Sequence, residues 1–349
     1  MHARVAIASN ALDTADLPPA AAVTLHRLLL DRLRAYGRLA FASDPDVSDL
    51  LYAIRNGPGL PPDARKLWSE VLVSFYKHKR ISVQKPNTTP LANIKDIDDL
   101  RARWKSAADV AVVASASCSK LGVPADKGLL AIPGLSPDVA TTYGAAFSPA
   151  IERFRNLADD GFLPHGSSRS RFQTDVLEPL AAGARTATIV DRYYFARLWR
   201  ATTDRTSNAS GHVAWMLRLL DGVMAPGAEV HIIADRFLQA PSVDVDNTAA
   251  ALLAAWSPSR PGRICKVSLS LTRGTSAHPF PHDRHIRFST GAAILLPSGF
   301  DRFEQPNVTD VNGVNWGYCW KSEKLVALQA TEQRAAALPH SRAKVIERP

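Results

Sequence analysis

The stretch most able to do chemistry is Pro281-His282-Asp283-Arg284-His285-Ile286-Arg287-Phe288, followed by the apolar run Ala292–Leu296 and the turn Pro297-Ser298-Gly299. It places two histidines and two arginines at the start of a strand-like segment, where imidazole and guanidinium groups can converge on one edge. Arginine offers a planar fork that fits phosphate, and histidine can attack phosphorus or carry a proton. His282, Arg284 and His285 are therefore the catalytic candidates, and Arg284 and Arg287 the phosphate-binding ones. The same residues could instead hold a loop through Asp283 or Asp301. Further phosphate-binding candidates are Asp191 and Arg192, at the end of the apolar run Thr186–Val190, and Arg169 and Arg171 in the polar loop Pro164–Arg171.

Other residue groups carry weaker signals. Asp44, Asp46 and Asp49 follow one strand-like run and Asp96, Asp98 and Asp99 precede a helical one. Acids at strand ends can hold Mg²⁺ in a nuclease, but they also cap helices and favour the helix dipole. Lys77, His78, Lys79 and Arg80 form a basic cluster, and Arg101, Arg103 and Lys105 another; both read as solvated helix faces. Trp199, Trp215, Trp316 and Trp320 could stack on bases, although Trp215 has the spacing of a core residue. Gly57-Pro58-Gly59 is a turn and no GxxxxGK[ST] run occurs, so no nucleotide-driven mechanism and no cofactor is implied. Cys118, Cys265 and Cys319 are too few and too scattered for a zinc site or a disulfide framework, and no bound metal is expected.

The elements that must position these groups alternate in type. Arg4–Ala8 and Arg38–Ala42 read as strands, Ala21–Tyr36, Pro45–Arg55 and Asp63–His78 as helices, and Val110–Ser115 as a buried strand. Asp44 is the expected cap of the second helix, with Pro45 in its first turn. This order predicts an α/β domain with a Rossmann-like or PIN-like parallel sheet over residues 1–160. A second α/β domain is expected over 161–330. Its strands are Thr186–Val190, Glu229–Ala234, Cys265–Leu271 and Arg287–Pro297, and its helices Gly211–Gly222 and Asn247–Trp256. Residues 331–349 read as a flexible basic tail.

Over about residues 170–325 the chain resembles the phospholipase-D-like C-terminal domain of the MIT-domain ESCRT adaptor family. The likeness rests on HDRHIRFSTGAAILLPSGFDRF from His282 to Phe303, on Thr188–Tyr193 as an early strand ending in an acid, and on Val230–Ile233 as the next strand. The resemblance implies a phospholipase-D-like fold, and a homodimer to cover the face that a second lobe would cover in the two-lobed enzyme. It also implies a comparison with the paired HxKxxxxD motifs of active phospholipases D. Here His282 matches the histidine, Arg284 replaces the lysine and Ser289 stands in the place of the aspartate. The second motif is missing, so a metal-independent phosphodiesterase would need His282 from two subunits, or His285, His231 or His212 in the second role. No MIT helical bundle precedes the domain.

Composition narrows the partners. The 349 residues are 46% hydrophobic and 21% charged, which excludes wholesale disorder, and no run is apolar and long enough for a membrane span. A net charge of +9 favours a polyanion. Nucleic acid is the expected partner, with an acidic phospholipid headgroup as the alternative that the resemblance suggests. The opening MHARVAIASNALDTADLPP lacks the apolar core of a secretory signal, so a cytoplasmic, reducing setting is expected. The Ala/Arg-rich composition and two-domain arrangement fit a bacterial defence protein.

Overall fold

The computed structural model describes residues 2–78, 80–83, 88–105, 107–159, 161–204, 211–235, 244–256, 262–338 and 341–347. The chain is mixed α/β and forms two compact units, His2–Asn156 and Leu157–Pro349. Among the described residues no helix is long and apolar enough to cross a membrane.

The N-terminal unit contains β1 (Ala3–Ile7), β2 (Gly37–Phe41), β3 (Ile81–Val83), β4 (Val110–Val112), β5 (Leu129–Leu130) and β6 (Asp138–Ala140). They lie in the order β3-β2-β1-β4-β6-β5. Every neighbouring pair is parallel except β5 with β6. Burial on both faces explains the short β-branched runs, since a strand covered by helices on each side has no polar face to show. The helix Pro19–Tyr36 buries Ala22, His26, Leu29, Leu30 and Leu33 at helical spacing, which seats one stripe on the sheet. In the next helix, Asp44–Asn56, the cap is Ser43 rather than Asp44. Ser43 Oγ accepts the Asp46 N–H and the Asp46 carboxylate accepts the Ser43 N–H at 3.0 Å, a reciprocal pair that uses two otherwise unmet donors. Asp44 occupies the first turn, where its charge opposes the helix dipole.

The C-terminal unit contains β7 (Phe162–Leu163), β8 (Thr186–Val190), β9 (Ala228–Asp235), β10 (Ile264–Thr272), β11 (His285–Phe288), β12 (Ala292–Leu295), β13 (Val314–Asn315), β14 (Gly317–Cys319) and β15 (Arg342–Glu347). Strands β7 and β13 pair as a ribbon, and the others form the sheet β14-β12-β11-β8-β9-β10-β15. Strands β8, β9 and β10 are parallel, and the flanking strands are antiparallel to their neighbours. The run expected as one strand, Arg287–Pro297, is a hairpin instead. Gly291 adopts φ +78°, a left-handed turn that folds β12 back on β11.

The expected flexible tail is also structured. Helix Ser322–Ala336 packs Leu325 and Leu328 against Ala293 and Cys319, and Ala335 against Val190, Ile233 and Phe280. The chain then pairs β15 with the edge of β10 over six residue pairs from Lys266↔Glu347 to Leu271↔Arg342. The apolar stripe of this helix is sparse, and one buried position is Glu332, which reads as a surface residue by type.

Candidate anion-binding site

Strands β8 and β9 end side by side in Asp191 and Asp235, each only 1% exposed. Strand β11 runs the other way, with His285 opposite Val190, so the segment His282–Arg284 arrives at this same carboxyl edge. Arg284 reaches Asp191, with Nε 3.6 Å from Oδ1, and Nη1 donates to the Pro297 carbonyl at 2.6 Å. Arg192 donates from Nε to Asp235 Oδ2 at 3.2 Å. The two guanidinium groups share one aromatic ring: Arg284 lies 5.3 Å and Arg192 5.7 Å from the centroid of Tyr193.

Asp191 is the fixed point of the arrangement. It accepts the N–H groups of Tyr193 and Phe300, both at 2.9 Å. Burial pushes its carboxyl up, against the pull of these two donors and of Arg284. Gly299, at φ +88°, allows the chain to turn so that the Pro297 carbonyl and Phe300 N–H face the site; a Cβ there would sit 3.3 Å from Arg284 Cδ. Arg192 is thus held by a hydrogen bond from Nε to a buried acid, while Arg284 Nε lies in ion-pair range of the other at 3.6 Å and its Nη1 is fixed by the Pro297 carbonyl. Their side chains are 26% and 21% exposed, and the Nη atoms of Arg192 and Nη2 of Arg284 meet no acceptor among the described residues. An anchored fork with outward N–H groups can receive a phosphate or carboxylate oxygen with little further ordering.

The remaining candidates do not join this pair. His285 is fully buried, with Nε2 3.1 Å from Glu332 Oε1 and Nδ1 3.3 Å from the Asp283 carbonyl. Arg287 donates to the same carboxylate from Nε at 2.8 Å and Nη2 at 2.6 Å. Burial would raise the Glu332 carboxyl, but the Arg287 and His285 donors outweigh it and hold it below the usual range. His285 and Arg287 are therefore corrected from site residues to an internal clasp. His282 is exposed, without a hydrogen-bond partner among the described residues, and lines a neighbouring groove. Arg169 donates from Nη1 to the carbonyls of Phe303 and Glu304 and lies 5.0 Å from the Trp215 ring, so it ties a loop. Arg171 is exposed beside Asp175 at 3.7 Å.

The histidines considered for a second catalytic role are engaged elsewhere. His212 is buried between Glu304 and the Tyr194 carbonyl, at 2.6 Å and 3.0 Å. His231 lies 3.7 Å from Glu229. Ser289 sits at the far end of β11, where its Oγ accepts the N–H groups of Arg185 and Thr186. Trp199, Trp215 and Trp316 are buried and Trp320 half-buried. The indoles of Trp199 and Trp215 donate to Thr248 and Gln173, which leaves them no role as stacking platforms.

In the N-terminal unit the acids mostly cap. Asp96 accepts the Asp99 N–H at 2.8 Å, and Asp99 accepts Arg103 Nε at 2.6 Å. Asp49 is exposed in a cleft of about 380 Å³ with Asn10, Asp13 and Asn56. Among the described residues no group of three or more His, Cys, Asp or Glu is placed to hold a metal ion. Arg80 of the basic cluster is not a solvated residue: it is 5% exposed and donates to the Arg34 carbonyl at 2.7 Å. Lys79 lies outside the described residues.

Sequence reasoning missed Tyr193, Asp235 and Glu332. Asp235 carries the signal that singled out Asp191, an acid at the end of a β-branched run. Tyr193 had only its adjacency to Arg192, and Glu332 had none. No protein-family model matches the chain, and no curated protein matches it.

Proposed function

We propose that this protein binds phosphodiester backbones, with nucleic acid as the partner, through Arg192 and Arg284 at the carboxyl edge of the C-terminal sheet. The observation that carries the reading is the pair of guanidinium groups near the Tyr193 ring, each beside a buried aspartate, with both Nη atoms of Arg192 and Nη2 of Arg284 meeting no acceptor among the described residues. The net charge of +9 supports a polyanionic ligand. In the same reading the C-terminal unit is a degenerate phospholipase-D-like domain that retains phosphate recognition, and the strand order of the N-terminal unit agrees with a Rossmann-like or PIN-like domain. The protein acts as a homodimer in the cytoplasm.

Binding is favoured over hydrolysis because it needs no second imidazole, whereas His285 and His212 are buried against Glu332 and Glu304 and hydrolysis would have to draw His282 from a second copy of the chain. The test is fluorescence anisotropy with labelled single- and double-stranded DNA and RNA over a range of salt. Binding should weaken steeply with salt, and Arg192→Ala and Arg284→Ala should each lower affinity and reduce the salt slope by about 1. Absence of salt-sensitive binding to every nucleic acid, with binding to vesicles containing acidic phospholipid in its place, would overturn the reading in favour of a membrane ligand.

A further inference from the structure

We infer that the groove between the segment Ala277–Asp283 and the helix Ser322–Ala336 is a second phosphate-ester site, built from His278, His282 and Arg334. The groove measures about 680 Å³ and is lined on one side by His278, Pro279, Pro281 and His282 and on the other by Thr331 and Arg334. It falls within the range of roughly 300–1,000 Å³ common for small-ligand sites. None of its three nitrogen-bearing side chains belongs to the Arg192/Arg284 pair, so the inference goes beyond the function proposed above.

The histidine wall is held at several points. The Thr275 N–H donates to the His278 carbonyl and the His278 N–H to Thr275 Oγ1, both at 3.0 Å, which closes a tight turn just before the groove. Phe280, 2% exposed, is driven into the cluster of Val190, Ile233 and Ala335. Pro279 and Pro281 flank it and fix φ on either side. The segment is pinned in its middle, while the exposed His278 and His282 stand on both sides of the pin. On the facing helix Arg334 is exposed, donates from Nη2 to Thr331 Oγ1 at 3.1 Å, and has no acidic partner among the described residues.

The charge inventory selects the ligand. The titratable groups lining the groove are His278, His282, Arg334 and Asp283. Two imidazoles alone could recruit a transition metal, but no third ligand completes such a set among the described residues. Two imidazoles and a guanidinium lining one groove can offer N–H donors to a phosphate, whose oxygens accept several such bonds.

Inorganic phosphate is the probe, followed by proton NMR of the histidine C2–H resonances at pH 6.5 and constant ionic strength. Of the ten histidines, two resonances should move in a saturable way, and they should be the ones missing from His278→Gln and His282→Gln spectra. Arg334→Ala should weaken the phosphate dissociation constant by roughly tenfold, as loss of a hydrogen bond to a charged group does. All three side chains are exposed, so the variants are expected to fold, and the unchanged resonances of the buried histidines report that they do. The site is overturned if phosphate moves neither resonance, if chloride produces the same shifts, or if Arg334→Ala binds like the parent. Because the probe and side chains differ from those used with nucleic acid, failure here and failure of the backbone-binding reading are separate results.

Discussion

Arg287 and Glu332 meet through two parallel hydrogen bonds, Nε to Oε1 at 2.8 Å and Nη2 to Oε2 at 2.6 Å. Because Arg287 lies on β11 and Glu332 on the helix Ser322–Ala336, this pair clasps the helix to the sheet, and His285 adds a third contact to the same carboxylate. Glu332→Ala would leave a guanidinium and a buried imidazole without their acceptor. Breaking a buried pair from one side costs about 3–5 kcal/mol. The expected outcome is a loss of that order in chemical denaturation, with a smaller loss for Glu332→Gln, which keeps the volume and one acceptor oxygen. Equal stability of Glu332→Ala and parent would show that the clasp is not a stabilising feature.

That clasp also explains how far the sequence could be read. Strands β1, β2, β4, β8, β9 and β10 were visible, because runs such as Thr186–Val190 and helices such as Asp63–His78 carry their period in residue type, whereas strands β3, β5, β6 and β14, of two or three residues each, were not. The position of the candidate site was visible too, since His282–Phe288 stands out by composition. What the sequence could not show was pairing. His285 and Arg287 look as available as Arg284 until Glu332, 45 residues beyond Arg287, is seen to accept from both. The tail was misread for a related reason: an acid at a buried helix position removes one apolar mark from a stripe that has few.

Acid should weaken the N-terminal unit before it affects the carboxylates. His26 is buried, and its Nδ1 accepts the Trp68 indole N–H at 3.2 Å, so the folded ring has one nitrogen without a proton. Burial lowers its pKa from 6.5 to about 4. Between those values the unfolded chain binds the extra proton and the folded one does not. Stability is therefore complete above about pH 6.5 and falls as the pH drops, by about 3 kcal/mol near pH 4. Glu304 and Glu332, both held below the usual carboxylate range, add their loss only at lower pH, as the medium passes their folded values. Denaturation followed by tryptophan fluorescence from pH 7 to 4.5 should show the first loss, and His26→Gln should reduce it without abolishing it, because burial also lowers the pKa of His2 and His78 in the same unit. A parent profile that is flat across this interval would contradict the assignment.

Removal of residues 341–349 should change association more than folding. Strand β15 is almost wholly exposed, yet it covers the backbone edge of β10 along six residue pairs. Without it a long edge of unpaired N–H and C=O groups faces solvent, a template for pairing with another chain. The truncated chain is expected to elute as larger, concentration-dependent species in size-exclusion chromatography, with a far-UV spectrum close to that of the parent. An unchanged elution volume at all concentrations would mean that the edge is protected by other means.

Asp235→Asn separates positioning from bulk charge. The substitution removes a negative charge 3.2 Å from Arg192 Nε, so simple electrostatics predicts tighter binding of a polyanion. If the carboxylate instead serves to aim the guanidinium, its loss lets Arg192 leave the Tyr193 face, and the fork must be reordered on each encounter. The expected result is weaker binding, by about threefold to tenfold at physiological salt, with little change in salt slope because the number of cations is unaltered. Arg192→Lys should behave similarly, since lysine keeps the charge and loses the planar fork. Thermal unfolding of Asp235→Asn guards against a general loss of fold, because the carboxylate is 1% exposed. Affinity that rises in a stable Asp235→Asn variant would leave Arg192 as a point charge and remove the buried acid from the recognition site.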